Sequence, residues 1–296
     1  MQTTALPAKT IHFRKFNLNK IMSIYTRPRS HLMPVADRLS RLPYWLLLSI
    51  TLGLLMLWGI VRDENYRIIF NAVRKGVGTT FKVSILAYVM AMGLGLVLSL
   101  MRIHRSRITQ EVSSFYTEVM RGVPMLVLLY YISFVGAPAL VSGLNWLGRP
   151  LIQAGIIDKI AIRQIDFTSR AMLALMLGYG AFIGEIFRSG ILSIEKDQTE
   201  AGQVEGATYW QIMRFIILPQ AVRNVLPALG NEFIAILKDS ALVSALGVQD
   251  ITQLGKVYSA STFKFFETYN VVAFLYLVMT MGLAALLRVL ERWLKR

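Results

Sequence analysis

Long apolar runs separated by short polar segments set the pattern of this chain. Most runs contain about 20 residues, which is the length that an α-helix needs to cross the hydrocarbon core of a bilayer. The pattern therefore predicts an all-α membrane protein with about six transmembrane helices. The predicted spans cover residues 43–61, 77–101, 125–141, 169–194, 220–242 and 267–290.

The polar segments between these runs divide the chain into parts. The predicted parts are a basic cytoplasmic tail (1–42), an extra N-terminal span with an outer loop (43–75), a transmembrane domain (76–290) and a cytoplasmic C-terminus (291–296). The predicted connections within the transmembrane domain are a basic loop (102–114), an outer insert with a surface helix (142–168) and a cytoplasmic loop (195–219). Met22 is an alternative start that would shorten the tail.

Composition and charge support a membrane location. The chain is 55% hydrophobic, and its mean hydropathy is +0.51. It contains no cysteine, which excludes thiol chemistry. The net charge of +15 is typical either of nucleic-acid binding or of the excess of Lys and Arg in cytoplasmic segments. Because the basic residues adjoin apolar runs and no nucleic-acid motif occurs, we predict no nucleic-acid partner. With both termini placed inside, the inner segments hold 19 Lys and Arg and the outer segments 11, which favours cytoplasmic termini.

One polar stretch lies between two of the spans. It begins with Glu200, Ala201 and Gly202, carries a second glycine at Gly206 and ends at Pro219. Pro219 lacks an N–H and disfavours helix at the residue before it, so we expect it to end the helix that precedes it. The stretch predicts a helix, a glycine-marked turn and a second short amphipathic helix.

This stretch resembles the "Glu-Ala-Ala loop" of bacterial ABC-importer permeases. That motif is Glu-Ala-Ala, three residues, Gly, nine residues, Ile, one residue and Leu-Pro. The matching positions here are Glu200, Ala201, Gly206, Ile216, Leu218 and Pro219, and Gly202 replaces the third residue of the motif. The resemblance implies that the loop is a coupling helix, which docks on a cytosolic ATPase.

Two further motifs are similar to the polar-amino-acid permeases of that family. Arg121-Gly122-x-Pro124 resembles the opening of a pore helix in these permeases. A helix that is broken at Gly-x-Pro leaves backbone groups free, and a membrane tolerates this only where protein or water satisfies them. An ordinary kinked helix is the alternative. Residues 179–190 resemble the segment that precedes the coupling loop, with Gly184 where the family usually has Ala.

Ionisable residues at membrane depth are costly, so we treat them as candidates for a substrate pathway. The candidates are Glu232, Lys238, Asp239, Asn231 and Glu185. Glu232 and Asp239 are seven residues apart and share a helix face, which predicts a site for the ammonium group or polar side chain of an amino acid. Two alternatives stay open. In the first, which concerns α-helical residues 238 and 239, Lys238 and Asp239 neutralise each other at the outer helix end. In the second, Glu185 forms a structural ion pair with Arg188.

The resemblance, which covers roughly residues 76–290, implies a five-helix permease core with one extra N-terminal span. It implies the transmembrane subunit of an ATP-driven ABC importer for polar amino acids in the bacterial inner membrane. The implied partners are a cytosolic ATPase dimer that carries ATP and Mg, a second permease chain, identical or related, and an external substrate-binding protein.

No cofactor is expected on this chain. It has no Gly-x-x-x-x-Gly-Lys-Ser/Thr motif, and its three histidines lack metal-ligand spacing. An ion-gradient-driven secondary transporter or channel is the alternative, in which the loop at 200–219 would be a plain connector. A membrane enzyme or sensor lacks a catalytic set of residues, so we predict that the chain is not an enzyme.

Overall fold

The computed structural model describes residues 44–294, so the predicted basic tail and the last two residues lie outside the described part. The chain divides into two units between Leu52 and Gly53, and the first helix, α1 (Tyr44–Arg62), runs through this division. In the first unit, the hydroxyl of Thr51 donates a hydrogen bond to the carbonyl of Leu47 within α1. The core and the candidate sites lie in the unit that begins at Gly53.

The described residues of the second unit are almost entirely helical. The α-helices after α1 are α2 (Glu64–Val73), α3 (Val77–Ile103), α4 (Arg107–Gly122), α5 (Met125–Tyr131), α6 (Ala137–Leu147), α7 (Arg149–Gln153), α8 (Phe167–Leu192), α9 (Lys196–Val204), α10 (Tyr209–Ile212), α11 (Leu218–Asp239), α12 (Ile251–Thr262) and α13 (Phe265–Leu294). Short 3₁₀ segments occupy Arg74–Gly76, Ile162–Gln164 and Ser240–Leu246, and π-helical turns occupy Ile132–Gly136 and Met213–Ile217.

Five stretches of the described chain are long and apolar enough to cross a membrane. They are Glu64–Ile103, Met125–Leu147, Phe167–Leu192, Tyr209–Leu246 and Phe265–Trp293. A shorter apolar helix, Leu46–Arg62, precedes them. This arrangement confirms the predicted all-α membrane fold, with a five-helix core and an additional N-terminal helix.

The main core forms where α8 packs against α3 and α11. Small side chains such as Ala91 of α3 and Ala174 of α8 are fully buried there. A Cβ atom on Gly95 of α3 would lie 2.8 Å from the backbone nitrogen of Gly184 in α8, so the two backbones are in close contact. Close backbone approach at small residues is a common way for membrane helices to gain packing contacts. This contact holds α8 close against α3.

A second core cluster joins α2, α12 and α13. Ile69 of α2 is fully buried in it together with Ile251 of α12. The prediction of a loop up to residue 75 is therefore wrong, because residues 64–73 are helical. Asp63 caps the N-terminus of α2, and its carboxylate accepts a hydrogen bond from the backbone N–H of Asn65 at 2.7 Å. The buried apolar face of α2 then holds the helix against its neighbours.

Asp250 caps α12 from a fully buried position. Its carboxylate accepts a hydrogen bond from the backbone N–H of Gln253 at 2.8 Å and another from the hydroxyl of Tyr276 at 3.0 Å. Burial raises the pKa of the Asp250 carboxyl above its ordinary value, and the hydrogen bonds oppose this shift in part. A Cβ atom on Gly76 would collide with the backbone of Asp250. Glycine at this position therefore lets α12 lie against the segment that precedes α3.

The α4 helix begins within the segment predicted as a basic loop. Residues 107–114 are helical, so that prediction is wrong for this part. Two of the polar side chains of α4 face the protein interior, while apolar side chains such as Phe115 are exposed, which conceals the helix in the sequence pattern. Ser113 and Thr117 are buried, and the hydroxyl of Ser113 donates a hydrogen bond to the carbonyl of Leu98 in α3 at 2.8 Å.

The chain is broken between α4 and α5, as the Gly-x-Pro pattern predicts. The α4 helix ends at Gly122, Val123 is extended with φ −95° and ψ 132°, and Pro124 precedes the first residue of α5. The carbonyl of Pro124 accepts the first helical hydrogen bond, from Leu128, at 3.0 Å. This geometry turns the start of α5 toward the middle of α8.

The segment 142–168 contains the end of α6, the short helix α7 and a 3₁₀ turn. None of the residues of α7 is buried. The side chain of Asn145 both donates to and accepts from the backbone of Ile160. Arg170, at the start of α8, is buried and donates hydrogen bonds to carbonyl groups of the insert and of the π-helical turn. The acceptors are Ile162, Ile165 and Ser133. These bonds attach the insert to α8.

Pro219 does not end the helix before it, which contradicts the prediction. The helical stretch continues from Tyr209 to Leu246, and Pro219 lies in the first turn of α11. The π-helical turn Met213–Ile217 directly precedes α11 and changes the hydrogen-bond register there. The second helix of the loop and the following span are thus one continuous helical element.

Candidate functional site

The loop between α8 and α11 has a defined backbone. Between α9 and α10, Gly206 has φ +78°, in the left-handed region that favours glycine, and its N–H donates to the carbonyl of Gln203 at 3.0 Å. Thr208 caps α10 in a reciprocal arrangement, in which the side-chain oxygen of Gln211 accepts from the Thr208 N–H at 2.8 Å. The predicted helix, glycine-marked turn and second helix are therefore present.

Gly202 allows the two short helices of the loop to pack together. It is buried, and a Cβ atom there would lie 2.9 Å from Cγ1 of Ile212 and 3.2 Å from Cδ1 of Ile216. A glycine in the third position of the motif therefore has a packing reason in this chain.

The loop also presents apolar side chains to solvent. Val204 is 88% exposed, Trp210 77% and Phe215 70%. Exposed apolar patches of this kind mark interaction sites, and Trp is frequent where binding energy concentrates. Of the motif residues, Glu200, Ala201, Gly206, Leu218 and Pro219 are exposed, whereas Ile216 is half-buried. The sequence prediction missed the aromatic residues of the loop, although Tyr209 and Trp210 are adjacent aromatics in a polar segment.

A cavity of about 290 Å³ lies between α5, α8 and α11. Its lining combines apolar side chains with two acids from one face of α11: Val123, Met125, Tyr179, Phe182, Glu232, Ala235 and Asp239. The break before α5 contributes Val123 and Met125. The predicted pair Glu232 and Asp239 thus lines one cavity.

Tyr179 orients one of these acids. Its hydroxyl donates a hydrogen bond to the Asp239 carboxylate at 2.8 Å. Lys238 and Asn231, also predicted for the pathway, are exposed and do not line the cavity. Among residues 44–294, Lys238 forms no salt bridge, so the described structure shows no ion pair between Lys238 and Asp239, and the alternative in which they neutralise each other stays open. The sequence prediction missed Tyr179 as a partner because it lies 60 positions away from Asp239.

Arg121 brings a positive charge to the edge of this cavity. Its guanidinium carbon lies 5.4 Å from the ring centre of Phe182, at a distance suited to a cation–π contact. Arg121 lies near the end of α4, directly before the break at Gly122 and Pro124. The Arg121-Gly122-x-Pro124 motif therefore also places a cation beside the acidic cavity.

Glu185 is held in an ion cluster instead of lining the cavity. Its carboxylate accepts hydrogen bonds from Arg188, one turn later in α8, and from Arg102 of α3. Arg102 in turn donates to the hydroxyl of Ser114 in α4 at 3.1 Å. The cluster supports the alternative of a structural ion pair with Arg188. Sequence reasoning missed Arg102, because this contact joins residues 83 positions apart.

A second cavity, of about 430 Å³, lies between the last turns of α8 and the first half of α11. Three of its lining residues are polar: Ser189 of α8, Ser193 directly after α8, and Asn224 of α11. The amide of Asn224 donates to the hydroxyl of Ser193 at 3.1 Å. In the part of the chain that the structure describes, no group of three or more His, Asp or Glu side chains is placed to hold a metal ion.

Residues 91–296 match the family described as "Binding-protein-dependent transport system inner membrane component". The match covers more than half of the chain, so the chain belongs to this family. Its members are the membrane-spanning permease subunits of ABC importers, in which a separate subunit hydrolyses ATP. This membership confirms the predicted class and identifies the chain as a transport subunit and not an enzyme.

Individual relatives agree with this assignment. The glutamine transport system permease protein GlnP of Escherichia coli (strain K12) is 34% identical over 221 residues, which are 75% of this chain and 92% of that protein. The arginine transport system permease protein ArtQ of Bacillus subtilis (strain 168) is 32% identical over 223 residues, which are 75% of this chain and 92% of that protein.

Solved structures share the fold. The crystal structure of an amino acid ABC transporter with histidines is 35% identical, covers 77% of this chain and 95% of that chain, and gives a TM-score of 0.61. The MetNI methionine ABC transporter in an inward-facing conformation is 20% identical, covers 81% of this chain and 98% of that chain, and gives a TM-score of 0.53. At that identity, MetNI supports the fold alone.

Proposed function

We propose that this chain carries polar amino acids across the bacterial cytoplasmic membrane, as the permease subunit of an ATP-driven importer. The family supplies the class of transporter, a multi-pass membrane subunit that works with an ATPase and a substrate-binding protein. The observation that carries the substrate assignment is the cavity, which combines two carboxylates from α11 with apolar and aromatic side chains. Similarity to permeases named for glutamine and arginine supports the same class.

The cavity suits the two charged groups of an amino acid. Asp239 and Glu232 are placed to pair with an ammonium group, and Tyr179 holds the Asp239 carboxylate in orientation. Arg121, at the cavity edge, is available for the α-carboxylate. Phe182 and Met125 supply apolar contact for the rest of the substrate. Lys238 and Asn231 are left out of this proposal because both are exposed outside the cavity.

The loop that contains Glu200, Gly202 and Gly206 is the docking element for the ATPase in this proposal. Its rigid turn and its exposed aromatic side chains suit insertion into a groove of a partner protein. Because the second helix of the loop continues directly into α11, a shift of the docked loop moves the helix that carries Asp239 and Glu232. Coupling further requires that the docked contact differ in free energy between the open and closed states.

The proposal also specifies the other components of the importer and the orientation of this chain. ATP and Mg bind to the ATPase dimer, and this chain carries no cofactor. A second permease chain, identical or related, completes the pathway. The loop and both termini face the cytoplasm, the binding protein docks on the opposite side, and nucleic acid is not a partner.

Uptake measurements in cells or proteoliposomes test this function. A Walker-lysine variant of the partner ATPase should abolish uptake of the amino acid. Glu232→Gln and Asp239→Asn should each raise the substrate concentration needed for half-maximal uptake, whereas the matched control Lys238→Gln, on the same helix but outside the cavity, should not. Uptake that persists with the ATPase variant and follows an ion gradient would instead identify a secondary transporter or channel.

A further inference from the structure

A third cavity, which we name the α13 crevice, has a volume of about 250 Å³ and lies between α3, α11 and α13. The residues of its wall come from all three helices and include Tyr88, Met92, Leu226, Leu287 and Glu291. Among the described residues that line it, Glu291 alone carries a charge. Its volume is below the about 300–1,000 Å³ that sites for compact small molecules occupy, so the crevice suits a segment of an extended apolar chain.

Contacts between the three helices give the α13 crevice its shape. The hydroxyl of Tyr88 donates a hydrogen bond to the carbonyl of Leu229 at 3.0 Å, which holds α3 against α11. A Cβ atom on Gly230 would collide with the side chain of Leu287, so α11 and α13 are in close contact at this point. The crevice is therefore built into the packing of these helices.

The α13 crevice lies on the side of the membrane that carries the loop between α8 and α11. Leu226 belongs to the first half of α11, which follows this loop, and Glu291 belongs to the last turns of α13. Leu226 and Ala235 are nine residues apart in α11, which is two and a half turns, so they lie on opposite faces of this helix. Because Ala235 lines the acidic cavity, the crevice lies behind the helix that carries Glu232 and Asp239.

The α13 crevice opens on a surface that faces lipid. Leu290, which lines it, is 45% exposed, and Leu286 and Val289 on the same helix are also exposed. Apolar side chains that are exposed on a membrane-spanning helix lie against lipid tails, which are as apolar as leucine. An acyl chain of the surrounding bilayer therefore has direct access to the crevice.

Glu291 adds an unpaired carboxylate to this apolar site. It is half-buried, and in the part of the chain that the structure describes it forms no salt bridge. Arg288 and Arg292 are both exposed and lie three residues before it and one residue after it. Because the two arginines are four residues apart, they share one side of α13 beside Glu291. The end of the crevice thus combines one carboxylate acceptor with two guanidinium donors.

We propose that the α13 crevice binds an acyl chain of a phospholipid from the loop-side leaflet, and that Glu291 selects a headgroup with a primary ammonium, as in phosphatidylethanolamine. The ammonium donates hydrogen bonds to the Glu291 carboxylate, and Arg288 and Arg292 bind the phosphate. This site goes beyond the proposed function, because its ligand is a resident lipid and not the transported amino acid. It requires only that the chain spans a bilayer.

Lipid titration of the complete importer tests this site. The permease is purified with its ATPase in detergent, stripped of lipid and titrated with phosphatidylethanolamine, phosphatidylcholine or phosphatidylglycerol of identical acyl chains. Native mass spectrometry counts the bound lipids. The choline headgroup keeps the positive charge but donates no hydrogen bond, and the glycerol headgroup has no amine. We expect the dissociation constant of phosphatidylethanolamine to be at least about fivefold lower than those of the other two lipids.

Two pairs of variants separate the headgroup from the chain. Glu291→Gln should raise the dissociation constant of phosphatidylethanolamine about fivefold and leave that of phosphatidylglycerol within about twofold. Its matched control is Glu267→Gln, which changes a half-buried carboxylate in the first turn of α13 and should affect neither lipid. Leu290→Trp, which fills the crevice, should weaken the binding of both lipids at least about threefold, whereas Leu286→Trp, one turn away and outside the crevice, should not.

Equal dissociation constants for the three lipids, or an unchanged value for phosphatidylethanolamine in Glu291→Gln, would overturn the headgroup assignment. Equal effects of Leu290→Trp and Leu286→Trp would remove the acyl chain from the crevice, as would a crevice covered by a second permease chain, in which no variant changes lipid binding. The comparison of the three lipids needs no variant, so a folding defect in one of them leaves the proposal testable. Amino-acid uptake is measured separately, and its failure does not bear on the lipid site.

Discussion

Replacement of Gly206 by valine tests whether the turn of the loop is needed for coupling. Gly206 has φ +78°, and a Cβ atom there would meet nothing within 4 Å, so the change adds backbone strain without a clash inside the chain. A left-handed conformation costs a non-glycine residue about 1–2 kcal/mol, and a β-branched one is among the least tolerant. That cost lowers the ratio of native to altered turn by roughly 5- to 30-fold.

Asparagine is the matched control, since it brings a side chain of similar size but tolerates the left-handed region. We expect Gly206→Val to lower amino-acid uptake and recovery of the ATPase with the permease by at least about fivefold, while Gly206→Asn stays within about twofold of the unmodified chain. Membrane abundance of both variants should be unchanged, because the residue is exposed and contributes nothing to the core. Equal losses with valine and asparagine would show that the added side chain, and not the backbone conformation, causes the defect.

Three further predictions address docking, packing and pH. Trp210→Ala should weaken ATPase binding at least about tenfold in a pull-down, as expected for an exposed aromatic anchor, and unchanged binding would remove the residue from the interface. Gly95→Leu should lower the free energy of unfolding by about 1–3 kcal/mol, measured as a lower melting temperature in detergent, because the side chain would separate α3 from Gly184; an unchanged melting temperature would contradict that packing. The raised pKa of Asp250 means that folding favours its protonated form. Stability should therefore fall as the pH rises from the ordinary aspartate value of about 4 through the raised value, and Asp250→Asn should flatten this decline.

Much of this architecture follows from patterns that are local in sequence. Apolar runs of span length predict the membrane helices, because burial in a bilayer requires a minimum length of helix. Glu232 and Asp239 are seven residues apart, and helical periodicity alone places them on one face. The loop from Glu200 to Gly206 is recognised by fixed spacing, and the left-handed conformation of Gly206 explains why one of its glycines is needed.

Contacts between distant parts of the chain could not be predicted in this way. Asp239 is next to Lys238 in sequence, yet its partner is Tyr179 from another helix. Arg102 and Glu185 are also distant in sequence, by 83 positions, yet they bind each other across two helices. The polar pattern at the start of α4 suggested a loop, because the side chains that this helix buries, Ser113 and Thr117, are polar. Pro219 suggested a helix end, but a π-helical turn before it lets the helix continue.

The most direct test of the central claim is purification of this chain in detergent after expression with its genomic neighbours, followed by an ATPase assay. We expect an ATPase to purify with the chain, and we expect its turnover to rise with one polar amino acid and the cognate binding protein. That amino acid would then be the substrate. A chain that purifies alone, and that moves amino acids into liposomes under an ion gradient, would contradict the importer function.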